Sequence, residues 1–117
     1  MQVIAAGSVA FRAVEADGAS GCRMAELITA ATGAPTFAMR QFEVDPGGRT
    51  PFHAHPWEHE VFILAGAGCV ETEAEPRQFA AGDAVFIPRL EKHAFRNTGE
   101  DVLRFLCLIP VAEPCCR

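Results

Sequence analysis

Short apolar or alternating stretches recur along this chain, cut at intervals by residues that favour turns. FAMRQFEV (37–44), EVFILA (60–65), QFAAGDAVFIP (78–88), HAFRN (93–97) and VLRFLCLI (102–109) are bounded or broken by Pro46-Gly47-Gly48, Gly66 and Gly68, Glu75-Pro76, Gly82-Asp83, Pro88 and Asn97-Thr98-Gly99. Turn signals every 8 to 12 residues or so predict many short antiparallel strands, and therefore an all-β sandwich or barrel. One stretch, RMAELITAAT (23–32), carries a pattern that fits either a helix or an early strand.

Alternation also predicts direction, because successive strand residues face opposite sides of a sheet. In 37–44, Ala38, Arg40, Phe42 and Val44 share the more apolar face, which places Arg40 on the inner side. A guanidinium there needs a partner. It is a salt bridge at the barrel rim, an edge position where the head reaches water, or an anion or substrate contact inside a pocket. Both faces of FLCLI (105–109) are apolar, so alternation alone does not orient that strand.

The chain has 117 residues, half of them apolar and 21% charged, which suits one globular domain over 1–117. A net charge of −5 and a pI near 5.3, with no basic run, argue against nucleic acid or anionic membrane as partners. The N-terminus does not read as a signal peptide, and no apolar run reaches the roughly 20 residues of a bilayer span. The expected setting is cytoplasmic. The five cysteines lack CxxC spacing and fit reduced thiols better than a disulfide framework. The adjacent Cys115 and Cys116 receive no role.

Histidine changes the picture. The chain has four, and HAHPWEHE (53–60) holds three of them. His53 and His55, two apart, share a face on extended chain, and Pro56 then interrupts regular pairing. His59 and Glu60, as neighbours, face opposite ways, so at most one of them can join the pair without a bulge. His93 follows the turn-rich FIPRLEK. Neutral imidazole is the commonest protein metal ligand. Four such rings on adjoining strands could close on a divalent cation at about 2.0–2.2 Å.

Gly47-x5-His53-x-His55-x3-His59-x6-Gly66 resembles the first cupin motif, with His59 where that motif has glutamate. Gly82-x5-Pro88-x4-His93-x3-Asn97 resembles the second, with Leu90 where a glycine is usual. The PGG turn, the PWEHE core and the closing FLCLIP strand make the chain similar to small four-histidine, manganese-type bacterial cupins. That resemblance implies a jelly-roll β-barrel (a double-stranded β-helix) over about 37–111, with a metal held by His53, His55, His59 and His93. Glu60 is the weaker alternative ligand. It also implies a homodimer, with the N-terminal arm (1–35) in the dimer contact, and a pocket face that includes Arg40, Phe105 and Cys107.

Imidazole ligation suits Zn2+, Cu2+, Fe2+ or Ni2+, whereas the resemblance points first to Mn2+. An open coordination position would make the ion a Lewis acid or an oxygen-binding centre. The expected function is a metal-dependent oxidoreductase, dioxygenase-like, using oxygen or peroxide on a small organic substrate. The alternatives are a metal-dependent isomerase or cyclase, and a non-catalytic module that binds a small ligand or metal. Catalytic residues beyond the metal set are not identified, since a fold of this kind hosts many chemistries.

Overall fold

The alternation of residues 37–44 runs on into the longest strand of the molecule, and the fold is organised around it. The computed structural model describes residues 1–111; Cys115 and Cys116 lie outside them. The strands are β1 (Arg12–Ala13), β2 (Ser20–Ile28), β3 (Phe37–Arg49), β4 (His59–Ala65), β5 (Ala67–Glu71), β6 (Arg77–Ala80), β7 (Ala84–Ile87), β8 (Ala94–Asn97) and β9 (Leu103–Pro110). Two single 3-10 turns, Ala6–Ser8 and Ala30–Thr32, are the only helical elements among the described residues. No helix there is long and apolar enough to cross a membrane.

All pairings are antiparallel, in the order β6-β5-β8-β3-β9-β4-β7, with β2 added on β3 and β1 on β2. Over residues 37–44, β3 lies between β2 and β9. It then bends at Pro46-Gly47, where Gly47 takes φ +79°, and Arg49 pairs with Arg96 of β8. A residue with a Cβ rarely adopts that φ, so the glycine makes the bend cheap. One bent strand thus pairs with β2 and β9 over its first part and with β8 at its end, and the single curled sheet is a jelly-roll barrel.

Residues 23–32 divide between two structures. Residues up to Ile28 pair along β3, and the chain then turns through Ala30–Thr32, capped by Thr29 and closed by Gly33 at φ +99°. Pairing with β3 settles what local propensity left open.

On β9, Leu103, Phe105, Cys107 and Ile109 are buried while Arg104, Leu106 and Leu108 are less so, which orients the strand. Val44, Ile63 and Leu103 are fully buried in the core. Phe105 stacks between Phe42 and Phe95, with ring centroids 5.1 and 4.8 Å away. Truncating such a side chain to alanine costs about 3–5 kcal/mol. A cavity beside this core opens to solvent at one end of the barrel.

Candidate functional site

The two histidine-bearing segments are zipped together by backbone. His53 N–H donates to the His93 carbonyl (3.1 Å) and His93 N–H donates to the His53 carbonyl (3.0 Å), an isolated antiparallel bridge. Next to it, Thr50 N–H donates to the Phe95 carbonyl (2.9 Å) and Phe95 N–H donates to Thr50 Oγ1 (2.8 Å). Leu90 N–H donates to the His55 carbonyl (2.6 Å). Leu90 has φ +68°, the only positive φ outside glycine among the described residues. The backbone therefore keeps the conformation that a glycine would hold easily, although the side chain has changed. Asn97 is buried and structural. Its amide donates to the carbonyls of Val44 and Asp101 (both 2.8 Å), and its Oδ1 accepts from Gly99 N–H (2.9 Å).

The four imidazoles gather at the open end. Ring centroids lie 4.1 Å apart for His53–His55, 5.0 Å for His55–His59 and His59–His93, and 5.7 Å for His53–His93. His59, the first residue of β4, is 5% exposed and turns inward, while Glu60 is exposed on the opposite face. Trp57 stacks on the His55 ring at 4.5 Å.

Electrostatics keep these rings neutral. Burial, then the charges of His93, His55 and Arg40, push His59 down to about 3. Burial and neighbouring His53, His93 and Arg40 push His55 down to about 4. His53 is lowered by burial and then by His93 and Arg40. Burial also lowers His93, against the opposing pull of Glu91.

The ring nitrogens divide into occupied and spare. His93 Nδ1 donates to the Glu91 carbonyl (2.9 Å), and His59 Nδ1 lies 3.2 Å from Cys107 Sγ. With Nδ1 engaged, His59 Nε2 is buried with no hydrogen-bond partner. A buried lone ring nitrogen beside three neutral imidazoles fits a divalent cation, since neutral imidazole is the ligating form and its second nitrogen is normally held by another group. As they stand, no three histidine, cysteine, aspartate or glutamate side chains among the described residues are arranged to hold a metal ion. The rings have converged but their lone pairs have not been focused on one point.

The rings open into a cavity of about 220 Å³. Its walls include Phe42, Phe95, Phe105, Trp57 and Met24, and no carboxylate among the described residues lines it. Arg40 and Cys107 line it too, so all seven residues singled out as ligands or pocket residues meet there, and Glu60 does not. Burial raises the Cys107 thiol, with Arg40 opposing. Sequence reasoning missed Val14, Ala16, Met24, Thr50, Pro51 and Phe95 in the lining. Met24 lies in 23–32, where the ambiguous pattern hid which way it faces.

A β-barrel with two histidine segments bridged at its mouth defines a class, and comparison gives that class a name. The model of the cupin domain matches residues 40–109, more than half of the chain, and the chain belongs to the cupin family. A 1-methylthio-D-xylulose 5-phosphate methylsulfurylase of Rhodospirillum rubrum is 36% identical over 74 residues, 63% of this chain and 47% of that protein. The chain thus spans about half the length of that relative. Protein SchB of Streptomyces halstedii is 36% identical over 94 residues, 79% of this chain and 68% of SchB. Among solved structures, the polyketide cyclase RemF of Streptomyces resistomycificus superposes with a TM-score of 0.89 and 34% identity, covering 97% of this chain and 82% of RemF.

Proposed function

We propose that this chain is a metal-dependent enzyme that holds a divalent ion, Mn2+ before Fe2+, Zn2+, Ni2+ or Cu2+, through His53, His55, His59 and His93. The observation that carries the reading is the buried, unpartnered Nε2 of His59 beside three neutral rings at the mouth of a cavity. Such an ion, when bound, would polarise an oxygen of the substrate and acidify the carbon next to it.

The chain's own residues supply the rest. Phe42, Phe105 and Trp57 give apolar walls that exclude water around a small organic substrate. Cys107 engages His59 Nδ1 and the Glu91 carbonyl engages His93 Nδ1, which leaves Nε2 of each ring to ligate an ion.

Similarity to a polyketide cyclase over nearly the whole chain supports a non-redox reaction, a cyclisation or isomerisation, ahead of the oxygen-dependent oxidation that four histidines first bring to mind. In that reading the substrate is a small enolisable carbonyl compound.

The test uses protein purified without an affinity tag. Metal content is measured for wild type, His59→Ala and Glu60→Ala, then turnover of small 1,3-dicarbonyl and phenolic compounds is followed together with oxygen uptake. The expected result is bound metal in wild type and Glu60→Ala. In His59→Ala metal affinity should fall by more than the roughly 10–100-fold that loss of an outer-shell partner costs. Turnover should vanish on chelation without oxygen consumption. Oxygen uptake that tracks turnover would replace the cyclase reading with the oxidative one. Loss of metal in Glu60→Ala alone would show that the wrong neighbour was chosen.

A further inference from the structure

Among the described residues, the cavity contains one guanidinium and no carboxylate to neutralise it. Arg40 Nη2 donates to Cys107 Sγ (3.2 Å) and Nη1 to Met24 Sδ (3.8 Å), and the guanidinium carbon lies 5.1 Å from the centre of the Phe42 ring. Its Nε is buried without a hydrogen-bond partner. Thiol and thioether sulfurs are weak acceptors, so these contacts hold the side chain in place without cancelling its charge. The carboxylate opposite Arg40 in the sheet register is Glu26, and Arg12 engages it at the exposed edge of β2. The remaining ionisable groups of the lining are imidazoles and a thiol.

A charge in apolar surroundings is stable when an opposite charge meets it. A guanidinium offers a planar, forked set of donors matched to two oxygens in one plane. We propose that the cavity binds a small organic anion whose planar oxyanion end, a carboxylate or an enolate or phenolate oxygen pair, docks on Arg40. Its apolar body lies on Phe42 and Phe105 and points toward the histidines. The cavity volume, about 220 Å³, falls below the range of about 300–1,000 Å³ typical of drug-sized ligands, which limits the ligand to about one ring or a short chain. The inference rests on the reading above only in taking this cavity as the substrate site, because Arg40 needs no metal to bind an anion.

The test is calorimetric titration of the full chain with benzoate and with benzamide, its neutral isostere, first after chelation and then after loading with Mn2+. Metal-free wild type should bind benzoate more tightly than benzamide. Arg40→Met should weaken benzoate binding by at least about tenfold, the scale of a charge-assisted hydrogen bond, and leave benzamide unchanged. Arg40→Lys, which keeps the charge and loses the fork, should fall between the two. The proposal is overturned if benzoate and benzamide bind metal-free protein alike. Undiminished benzoate binding by a folded Arg40→Met, or failure of benzoate, salicylate and acetoacetate all to bind wild type, overturns it as well. Anion binding through Arg40 in a protein that takes up no metal would sink the metal reading and leave this one standing. Metal uptake without anion preference would do the reverse.

Discussion

Arg23 and Arg40 stand on neighbouring strands, and the molecule treats them in opposite ways. Arg23 lies on the outer face of β2, where its Nε meets Glu43 at 2.9 Å and its Nη1 meets Asp45 at 3.0 Å. Arg104 of β9 closes the row from the other side, 3.0 Å from the second Glu43 oxygen. Arg23, Glu43 and Arg104 are register partners across three strands, so the charges alternate as a cross-strand row should. The inner row through Arg40 runs Glu26, Arg40, Cys107, Val61, and among the described residues its guanidinium meets sulfur and an aromatic face. The outer row is complete without any further molecule. The inner one reads as half of a contact, with the other half brought by a ligand. That difference separates residues that serve the fold from residues held ready by it.

The largest expected effect is on the inner side and depends on pH. The folded values of all four histidines lie below their ordinary 6.5, His55 at about 4 and His59 at about 3. The unfolded chain therefore binds more protons than the folded one between those values. Stability is fully present above pH 6.5 and is lost as pH falls from 6.5 toward 4 and then 3. A histidine whose folded value lies at about 4, as for His55, contributes about 3 kcal/mol over that window. Metal-free protein should thus lose about 3 kcal/mol or more between pH 6.5 and 4, measured by urea denaturation. His59→Leu should flatten the profile. A flat wild-type profile would show that the rings are already solvated and charged.

A smaller effect tests the contrast between the arginines directly. Arg23→Met strips Asp45 of its partner and leaves Glu43 with Arg104 alone, and should cost about 1 kcal/mol, the upper range for partly exposed pairs. Arg40→Met removes a charge with no carboxylate partner and inserts a side chain that suits the apolar walls, so stability should be unchanged or slightly higher. Denaturant midpoints of the two variants at neutral pH decide it. If Arg40→Met is the more damaging, Arg40 is a structural residue and the two rows are alike.

Much of this arrangement is legible in the sequence, for physical reasons that also mark where legibility ends. The inner face of β3 is readable because only Arg40 interrupts its apolar members, and His59 and Glu60 must diverge because adjacent strand residues do. The orientation of β9 is not readable, since both faces of FLCLI are apolar and packing against Phe42 and Phe95 decides the matter. The sulfur contacts of Arg40 escape for another reason. Cys107 is 67 residues away, and Met24 lies in the stretch whose local pattern fits two structures. The His53–His93 bridge is likewise a non-local pairing that no local pattern announces. The histidine spacing identifies which rings could meet, while the tertiary pairing determines how.

The smallest effect concerns the turn that carries His93 into place, a second point where the site side departs from ease. Leu90 sits at φ +68° with its side chain 65% exposed, and its N–H holds the His55 carbonyl at 2.6 Å. A left-handed conformation costs an L-residue roughly 1–2 kcal/mol, and the exposed side chain has little packing to offset that. Glycine removes this strain but gives back about 0.5–1 kcal/mol through the greater freedom of the unfolded chain. Leu90→Gly should therefore stabilise the protein by about 0.5–1 kcal/mol and keep the hydrogen bond to His55. On the outer side, Gly47→Ala should move stability the opposite way, because Gly47 already uses its positive φ, +79°, without strain. Thermal melts of both variants check the pair. Destabilisation by Leu90→Gly would mean that the leucine side chain contributes a contact at the cavity mouth that outweighs the strain of its backbone.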